Sequence, residues 1–280
     1  KYFNLYKEIP QFKELNSDMT LKEFKIIFYW EYGHRVLGRI IGIFFLVPLI
    51  YFHYTKKIST KNVLPFYVIL FLIILQGVVG WYMVRSGLVN DVTVSHYRLS
   101  LHLTIAFIIL SLIFWQLLNI KYKIKKSFFT FSLNGLPFFF LTLLIFLQII
   151  FGAFVSGLDA GKIHQTWPLM GFHYFPDDVI LNKFNDFINF NDHSLVQFYH
   201  RNIAYIITIY TLVICFYIFK KKEIKLYKPT LIFLIFLFIQ ITLGIFTLIS
   251  NLNIALASLH QISSVFLVLS SLNLYYSSIK

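Results

Sequence analysis

The chain of 280 residues has a single cysteine, Cys215, and few charged side chains. One cysteine excludes an internal disulfide and disfavours a cysteine-based metal site. Charged residues make up only 13% of the chain, whereas soluble domains carry about 25%. Together with a hydrophobic content of 58%, this scarcity excludes an ordinary soluble domain and indicates an integral membrane protein.

Acidic residues are also scarce, since 12 Asp and Glu stand against 25 Lys and Arg, for a formal net charge of +13. A positive charge can indicate a nucleic-acid partner. Here, however, the lysines cluster between apolar runs, as cytoplasmic anchors of membrane proteins do. We therefore expect a membrane-embedded chain and no nucleic-acid partner.

Seven segments are long and apolar enough to cross a bilayer, which takes about 20 residues each. They lie near 33–54, 63–84, 97–119, 136–156, 197–219, 229–250 and 254–277. Their apolar residues are continuous rather than alternating, which predicts helices and not a membrane barrel. The predicted fold is an all-α integral membrane protein with seven transmembrane helices.

Lysine-rich stretches follow the first, third and fifth spans, and the other connections are mixed or partly acidic. The positive-inside rule places the lysine-rich stretches in the cytoplasm. Residues 1–31 and 157–195 then face the outside, and the C-terminus is cytoplasmic. The first, third, fifth and seventh spans all run inward.

Each of these four inward-running spans has a histidine near its outer end: His34, His102, His200 and His260. All four lie at a similar depth, and the orientation of the spans is derived from the lysine counts alone. A pair of histidines from neighbouring helices is one way in which a membrane protein holds a haem iron. Two pairs predict two haem sites, one in each half of the chain.

The two halves repeat one another weakly and in the same order. The matching strings are His34-Arg35 with His200-Arg201, Gln76-x-x-x-Gly80 with Gln240-x-x-x-Gly244, and Ser100-Leu101-His102 with Ser258-Leu259-His260. We expect residues 1–126 and 127–280 to form two pseudo-symmetric four-helix bundles. The fourth span has no counterpart in the first half, so symmetry predicts an eighth span upstream of Lys1. The alternative is that seven spans are complete and the fourth is a linker.

Small residues stand one turn inward from each histidine, where a haem edge would pass: Gly38, Ala106, Ala204 and Ser264. Arginines lie close to the histidines as well: Arg35, Arg39, Arg98 and Arg201. Haem propionates would supply the anionic partner that a guanidinium needs in this region. The alternative partner for each arginine is lipid phosphate.

Glu31 lies three residues before His34, on the same helical face, whereas Gln197 takes this position in the second half. A carboxylate at only one of two matched sites is expected where one site holds a cofactor and the other a substrate. Glu31 would then handle a proton or orient a reactive ligand. The alternative is that it pairs with Arg35.

Two further sets of polar residues have simpler interpretations. The remaining histidines are expected to be solvated and interfacial: His53, His96, His164, His173 and His193. Three buried amides are expected to hydrogen-bond between helices rather than to take part in chemistry: Gln76, Gln148 and Gln240.

In these motifs the chain resembles the haem A synthases, which act in cytochrome oxidase assembly. The strings that carry the resemblance run from Glu31-Tyr-Gly-His34-Arg35-x-x-Gly38-Arg39 through Gln76-Gly-Val-Val-Gly80-Trp-Tyr-Met-Val-Arg85-Ser-Gly-Leu88, Val94-Ser-His-Tyr-Arg98-Leu-Ser-Leu-His102, Gly152-Ala-Phe-Val-Ser-Gly-Leu-Asp-Ala-Gly161, Thr166-Trp-Pro-Leu-Met-Gly171 and Gln197-Phe-Tyr-His200-Arg201 to Leu259-His260-Gln261. They cover almost the whole chain. The resemblance is to the proteobacterial and mitochondrial branch, which lacks paired outer cysteines.

The resemblance implies that a ring methyl of haem o is oxidised to a formyl group, by successive hydroxylations with oxygen from water. It implies haem b between His200 and His260, and haem o as substrate between His34 and His102, with Glu31 beside them as a catalytic residue. It places the protein in the bacterial inner membrane rather than the mitochondrial one, with its histidine sites near the outer face. Expected partners are haem O synthase, the oxidase assembly machinery, a redox partner and a further copy of the chain.

Two departures and two alternatives stand beside this interpretation. The family's N-terminal helix and its Gly-rich outer loop are not in this sequence, and Tyr32 stands where Trp is common. The histidines alone would equally support a dihaem electron carrier of cytochrome b type, and a haem chaperone without turnover is a third possibility. No pair of Asp-rich diphosphate-binding motifs is present, which excludes the prenylating haem O synthase.

Overall fold

The computed structural model describes residues 2–87, 92–128 and 132–279, so Leu88 of the family strings lies outside it. Its α-helices are α1 (Tyr2–Tyr6), α2 (Pro10–Leu15), α3 (Leu21–Tyr54), α4 (Thr60–Gly87), α5 (His96–Tyr122), α6 (Leu136–Gly157), α7 (Phe184–Phe187), α8 (His193–Lys220), α9 (Ile224–Ile249) and α10 (Ile254–Ser278). The described residues form no strand. Seven helices are long and apolar enough to span a membrane, namely α3, α4, α5, α6, α8, α9 and α10. The predicted all-α membrane protein with seven spans is therefore confirmed.

Helix α3 begins at Leu21, well before the predicted start of the first span near residue 33. A capping box explains the early start, because the Thr20 hydroxyl accepts from the Glu23 amide and the Glu23 carboxylate accepts from the Thr20 amide at 2.8 Å. At 34 residues, α3 is about 51 Å long and exceeds a hydrocarbon core of about 30 Å. His34 consequently lies inside a continuous helix rather than at its head.

The chain divides into two compact units, residues 1–109 and 110–280, with the division inside α5. In the first unit α3 packs against α4. In the second unit α6 contacts α8 and α10, and α9 contacts α8 and α10, so the four helices contact one another in a closed order. The expected boundary at 126 and the twin four-helix bundles stay predictions.

The lysine-rich end of the second unit is held by a lysine that caps the last helix. Lys126 Nζ donates to the carbonyl of Tyr276 at 2.9 Å and also to the carbonyl of Ile279. The backbone of Lys126 is held in turn by Trp115 Nε1, which donates to its carbonyl at 2.8 Å, and by Asn119. A cation at the C-terminal carbonyls of α10 is stabilising because these carbonyls have no helical donor.

Replacing Lys126 should therefore weaken the second unit. We expect Lys126→Met to lower the free energy of unfolding by about 1–3 kcal/mol, the range for hydrogen bonds to a charged group. Lys123→Met is the matched control, because Lys123 is exposed in the same connection. Thermal unfolding in detergent would measure both variants, and equal losses would contradict the capping role of Lys126.

Candidate functional site

The first histidine pair comes together within the first unit. The imidazole centroids of His34 on α3 and His102 on α5 lie 6.4 Å apart, with their planes at 63°. A metal bound between two imidazoles places their centroids roughly 6 Å apart, because each metal–nitrogen bond is about 2 Å long. The two rings form an edge-to-face pair whose separation would also fit a metal ion held between them.

The His102 ring packs closely against a glycine on α4. A Cβ atom added to Gly80 would stand 2.8 Å from His102 Cε1, which is closer than van der Waals contact allows. One turn earlier on the same face of α4, Gln76 Nε2 donates to the backbone carbonyl of His102 at 2.9 Å. Gln76 and Gly80 therefore fix where His102 lies against α4.

The second pair, His200 on α8 and His260 on α10, lies within the second unit and is seated in the same way. A Cβ added to Gly152 would stand 3.2 Å from His200 Cε1, and one added to Gly244 would stand 3.0 Å from His260 Cε1. Gly152 lies on α6 and Gly244 on α9. These glycine cradles leave each imidazole in one position against its neighbouring helix.

Sequence reasoning missed one member of this arrangement. Gln148 and Gly152 on α6 have the same spacing as the two Gln-x-x-x-Gly strings on α4 and α9, but they were not connected with the repeat. In the structure Gln148 Nε2 donates to the His200 carbonyl at 3.0 Å. The signal was present in the sequence as a third occurrence of the same string.

Glu31 forms an ion pair with Arg35 at 2.7 Å, and the two side chains are 56% and 54% exposed. The pairing alternative considered for Glu31 is thus present in the structure. Exposed pairs at this helical spacing contribute only about 0.3–0.5 kcal/mol. Breaking the ion pair with Arg35 would therefore cost Glu31 little free energy. Its counterpart Gln197 is buried and donates to the carbonyl of His164 at 2.9 Å.

The predicted anion-binding arginines have different surroundings. The Arg201 guanidinium donates to the carbonyls of His164, Thr166 and Leu169 at 2.8–3.1 Å. Its Nε is buried and has no partner among the described protein atoms. Arg98 stacks over the ring of Tyr82 at 5.0 Å. Arg201 is therefore bound by neutral carbonyls and keeps a donor available to an anion.

Arg39 and Gly38 lie on the exposed part of α3. A Cβ added to Gly38 meets nothing within 4 Å, so this position borders open space, as the passage of a flat ligand would require. Ala106, Ala204 and Ser264 are half-buried.

The described residues contain no cluster of three or more His, Cys, Asp or Glu side chains placed to hold a metal ion.

His164 connects the loop between α6 and α8 (residues 158–192) to the start of α8. Its Nε2 lies 3.1 Å from the Asp178 carboxylate, and the Ser194 hydroxyl donates to the same carboxylate at 2.6 Å. The His164 side chain is only 16% exposed and His96 is buried, so the expectation of solvated side chains is wrong for these two histidines. His173, which is 69% exposed, fits that expectation.

The chain has seven apolar helices of membrane length, and its four histidines form two pairs of potential metal ligands. It is therefore a multi-pass membrane protein with two candidate ligand pairs. Residues 1–272 match the COX15-CtaA family, described as cytochrome oxidase assembly protein. The chain belongs to this family, and the resemblance seen in its motifs is confirmed.

Curated relatives agree with this assignment. The chain is 48% identical over 275 residues to the heme A synthase of Pelagibacter ubique (strain HTCC1062), covering 96% of this chain and 79% of that protein. It is 39% identical over 269 residues to the heme A synthase of Rickettsia felis, covering 95% and 79%. It is also 39% identical over 276 residues to the heme A synthase of Flavobacterium johnsoniae, again covering 95% and 79%.

The Asp178 contacts predict a pH dependence of the outer loop. Partial burial favours the neutral carboxyl, but the hydrogen bonds of Ser194 and His164 outweigh it and hold the pKa of Asp178 below its usual value. The carboxylate therefore stabilises the loop fully above about pH 4, and this stabilisation is lost as the pH falls through the lowered pKa. Hydrogen exchange of residues 164–178, corrected for intrinsic rates, should accelerate below that pH.

Asp178→Asn should raise this exchange already at neutral pH and remove its acid dependence. Asp177→Asn is the matched control, because Asp177 is exposed and bonds only to exposed His173 among the residues described. Equal exchange in the wild type and Asp178→Asn at neutral pH would contradict the bracing role of Asp178.

Proposed function

We propose that this protein is a haem A synthase, an oxidoreductase that converts a ring methyl group of haem o into a formyl group. The observation that carries the proposal is the pair His34 and His102, whose rings are spaced as two axial ligands at 6.4 Å. The second histidine pair, the family and the names of its curated relatives support it.

The residues present fit a haem in each unit. Each unit contributes two histidines, and Gly80, Gly152 and Gly244 provide cradles that an added Cβ would fill. The free Nε of Arg201 suits a propionate, and Arg35, Arg39 and Arg98 are further candidates. A haem held by these histidines would supply the redox chemistry of its iron, and the histidines would tune it.

Haem b is assigned to His200 and His260, and the substrate haem o to His34 and His102. Glu31 supports this assignment, because its carboxylate is exposed beside the first pair. At the equivalent position Gln197 is buried and bonded to the outer loop. Within the described residues, the first pair thus has at this position an exposed acid that can exchange protons with water or substrate, and the second pair has an amide there.

The overall reaction consists of two hydroxylations and a dehydration. Each hydroxylation adds the oxygen of one water to the methyl carbon and releases two protons and two electrons, and the resulting geminal diol loses water to give the formyl group. Glu31 accepts protons at the first site. The electrons pass to a redox partner, which has to be engaged twice.

Membrane placement and partners follow from the same proposal. By the positive-inside rule, the lysine-rich connections support a location of the histidine pairs near the outer face of a bacterial inner membrane. Haem O synthase supplies the substrate, and the oxidase assembly machinery receives the product. Self-association of the chain is compatible with these roles.

Variants of the two pairs should have different effects. We expect His34→Ala and His102→Ala to abolish conversion of haem o while haem b is retained, since each removes a ligand only from the substrate site. His200→Ala and His260→Ala should lose the haem b spectrum. Absorption spectra of the purified variants, together with haem extraction, would check this. Loss of haem b in His34→Ala alone would reverse the assignment.

Glu31→Gln should retain both haems and lower turnover by about 10²–10⁴-fold, the range for general acid–base catalysis. Glu14→Gln is the control, because Glu14 is an exposed acid on α2 and has no described contact with a histidine. Conversion of haem o in membranes is the measurement. Full activity of Glu31→Gln would remove Glu31 from the mechanism.

A further inference from the structure

One arrangement recurs at three of the histidines. A glutamine on the neighbouring helix donates to the histidine backbone carbonyl, at 2.9 Å for Gln76 and His102, 3.0 Å for Gln148 and His200, and 3.1 Å for Gln240 and His260. The glycine one turn further along the same helix closes against the imidazole edge. Three different helices, α4, α6 and α9, carry this pair of contacts.

These glutamines do more than hold two helices together. Gln148 Nε2 lies 3.1 Å from Nδ1 and 3.3 Å from Nε2 of His200, and Gln240 Nε2 lies 3.4 Å from Nε2 of His260. Each carboxamide is therefore next to the ring as well as the backbone. Helix packing alone requires no contact between the amide and an imidazole, yet such a contact is present at two of the three sites.

Unsatisfied atoms support the same view. The side-chain oxygens of Gln76 and Gln148 are buried without a partner among the described protein atoms, and so is Nδ1 of His102. Buried acceptors of this kind are rare and call for an explanation. A histidine that binds iron through Nε2 carries its proton on Nδ1.

The His260 site shows the completed form of this arrangement. Its Nδ1 lies 3.1 Å from the backbone carbonyl of Gln240, so Nδ1 donates and Nε2 keeps its lone pair. The Ser263 hydroxyl donates to the Gln240 carboxamide oxygen, which leaves the amide nitrogen to face His260. Ser263 and Gln240 together fix the ring orientation and the tautomer.

We propose that Gln76, Gln148 and Gln240 are positioning residues for the iron-ligating histidines, each acting with the glycine four residues later. The glutamine holds the histidine through its backbone carbonyl, and the glycine leaves room for the edge of the imidazole ring. This inference rests on the proposed haem function. Partners of this kind, which hold a ligand in place, typically change metal affinity by about 10–100-fold.

The test uses the purified chain with haem b bound, and it compares Gln240→Met with Gln116→Met. Methionine keeps the approximate volume and removes the hydrogen bonds. Gln116 lies in the same unit, half-buried within α5, and forms no described bond to a histidine. The readouts are the g-values of the low-spin ferric haem, its midpoint potential, its affinity, and helicity by circular dichroism.

We expect Gln240→Met to stay helical, bind haem b about 10–100-fold more weakly, and show shifted g-values and midpoint potential. Gln116→Met should match the wild type. Unchanged g-values and midpoint potential in a helical Gln240→Met protein would overturn the proposal. Gln240 would then serve only in packing between the helices. Absence of haem from the wild type would instead contradict the proposed function, so the two failures are distinguishable.

If Gln240→Met fails to fold, glycine variants on α4 decide the question. Gly80→Ala places a methyl group 2.8 Å from His102 Cε1, whereas Gly77→Ala meets nothing within 4 Å. We expect Gly80→Ala to lose the bis-histidine signal of the haem at His34 and His102, and Gly77→Ala to keep it. Equal signals in the two variants would overturn the proposal.

Discussion

The candidate site depends on the close approach of an imidazole ring to a glycine on the neighbouring helix. Gly80 leaves too little room for a Cβ beside Cε1 of His102, and a Cβ at Gly152 or Gly244 would make a tight contact with Cε1 of His200 or His260. Small residues let membrane helices pack closely, and here the space they leave holds a side chain able to bind metal. The same contact therefore serves helix packing and ligand placement, which explains why the glycine and the glutamine recur together.

In the second unit, the loop between α6 and α8 (residues 158–192) is held by contacts next to His200. Arg201, directly after His200, binds three carbonyls of residues 164–169, and Asp178 binds Ser194 at the start of α8. A cation whose partners are all neutral carbonyls retains its attraction for an anion. Movement of the loop would therefore displace Arg201, the residue next to His200. An anion bound at Arg201, such as a propionate, would in turn stabilise the loop.

The membrane-length helices were predictable because they depend on local patterns. Apolar runs of membrane length and lysine counts indicate spans and their direction, and α6 was predicted within one residue of Leu136–Gly157. The early start of α3 was missed because it depends on a capping box in a polar segment. The partners of Gln148, Arg201 and His164 were missed because they join distant residues, and periodicity carries no information about such contacts.

The central claim is that the chain holds two haems in different chemical states. Its most direct test is extraction of haem from the purified full-length protein, expressed together with a haem O synthase, followed by chromatography and mass analysis. Haem b accompanied by haem o, a hydroxylated intermediate or haem a is the predicted result. Haem b alone, despite available haem o, would contradict the account and favour a dihaem electron carrier.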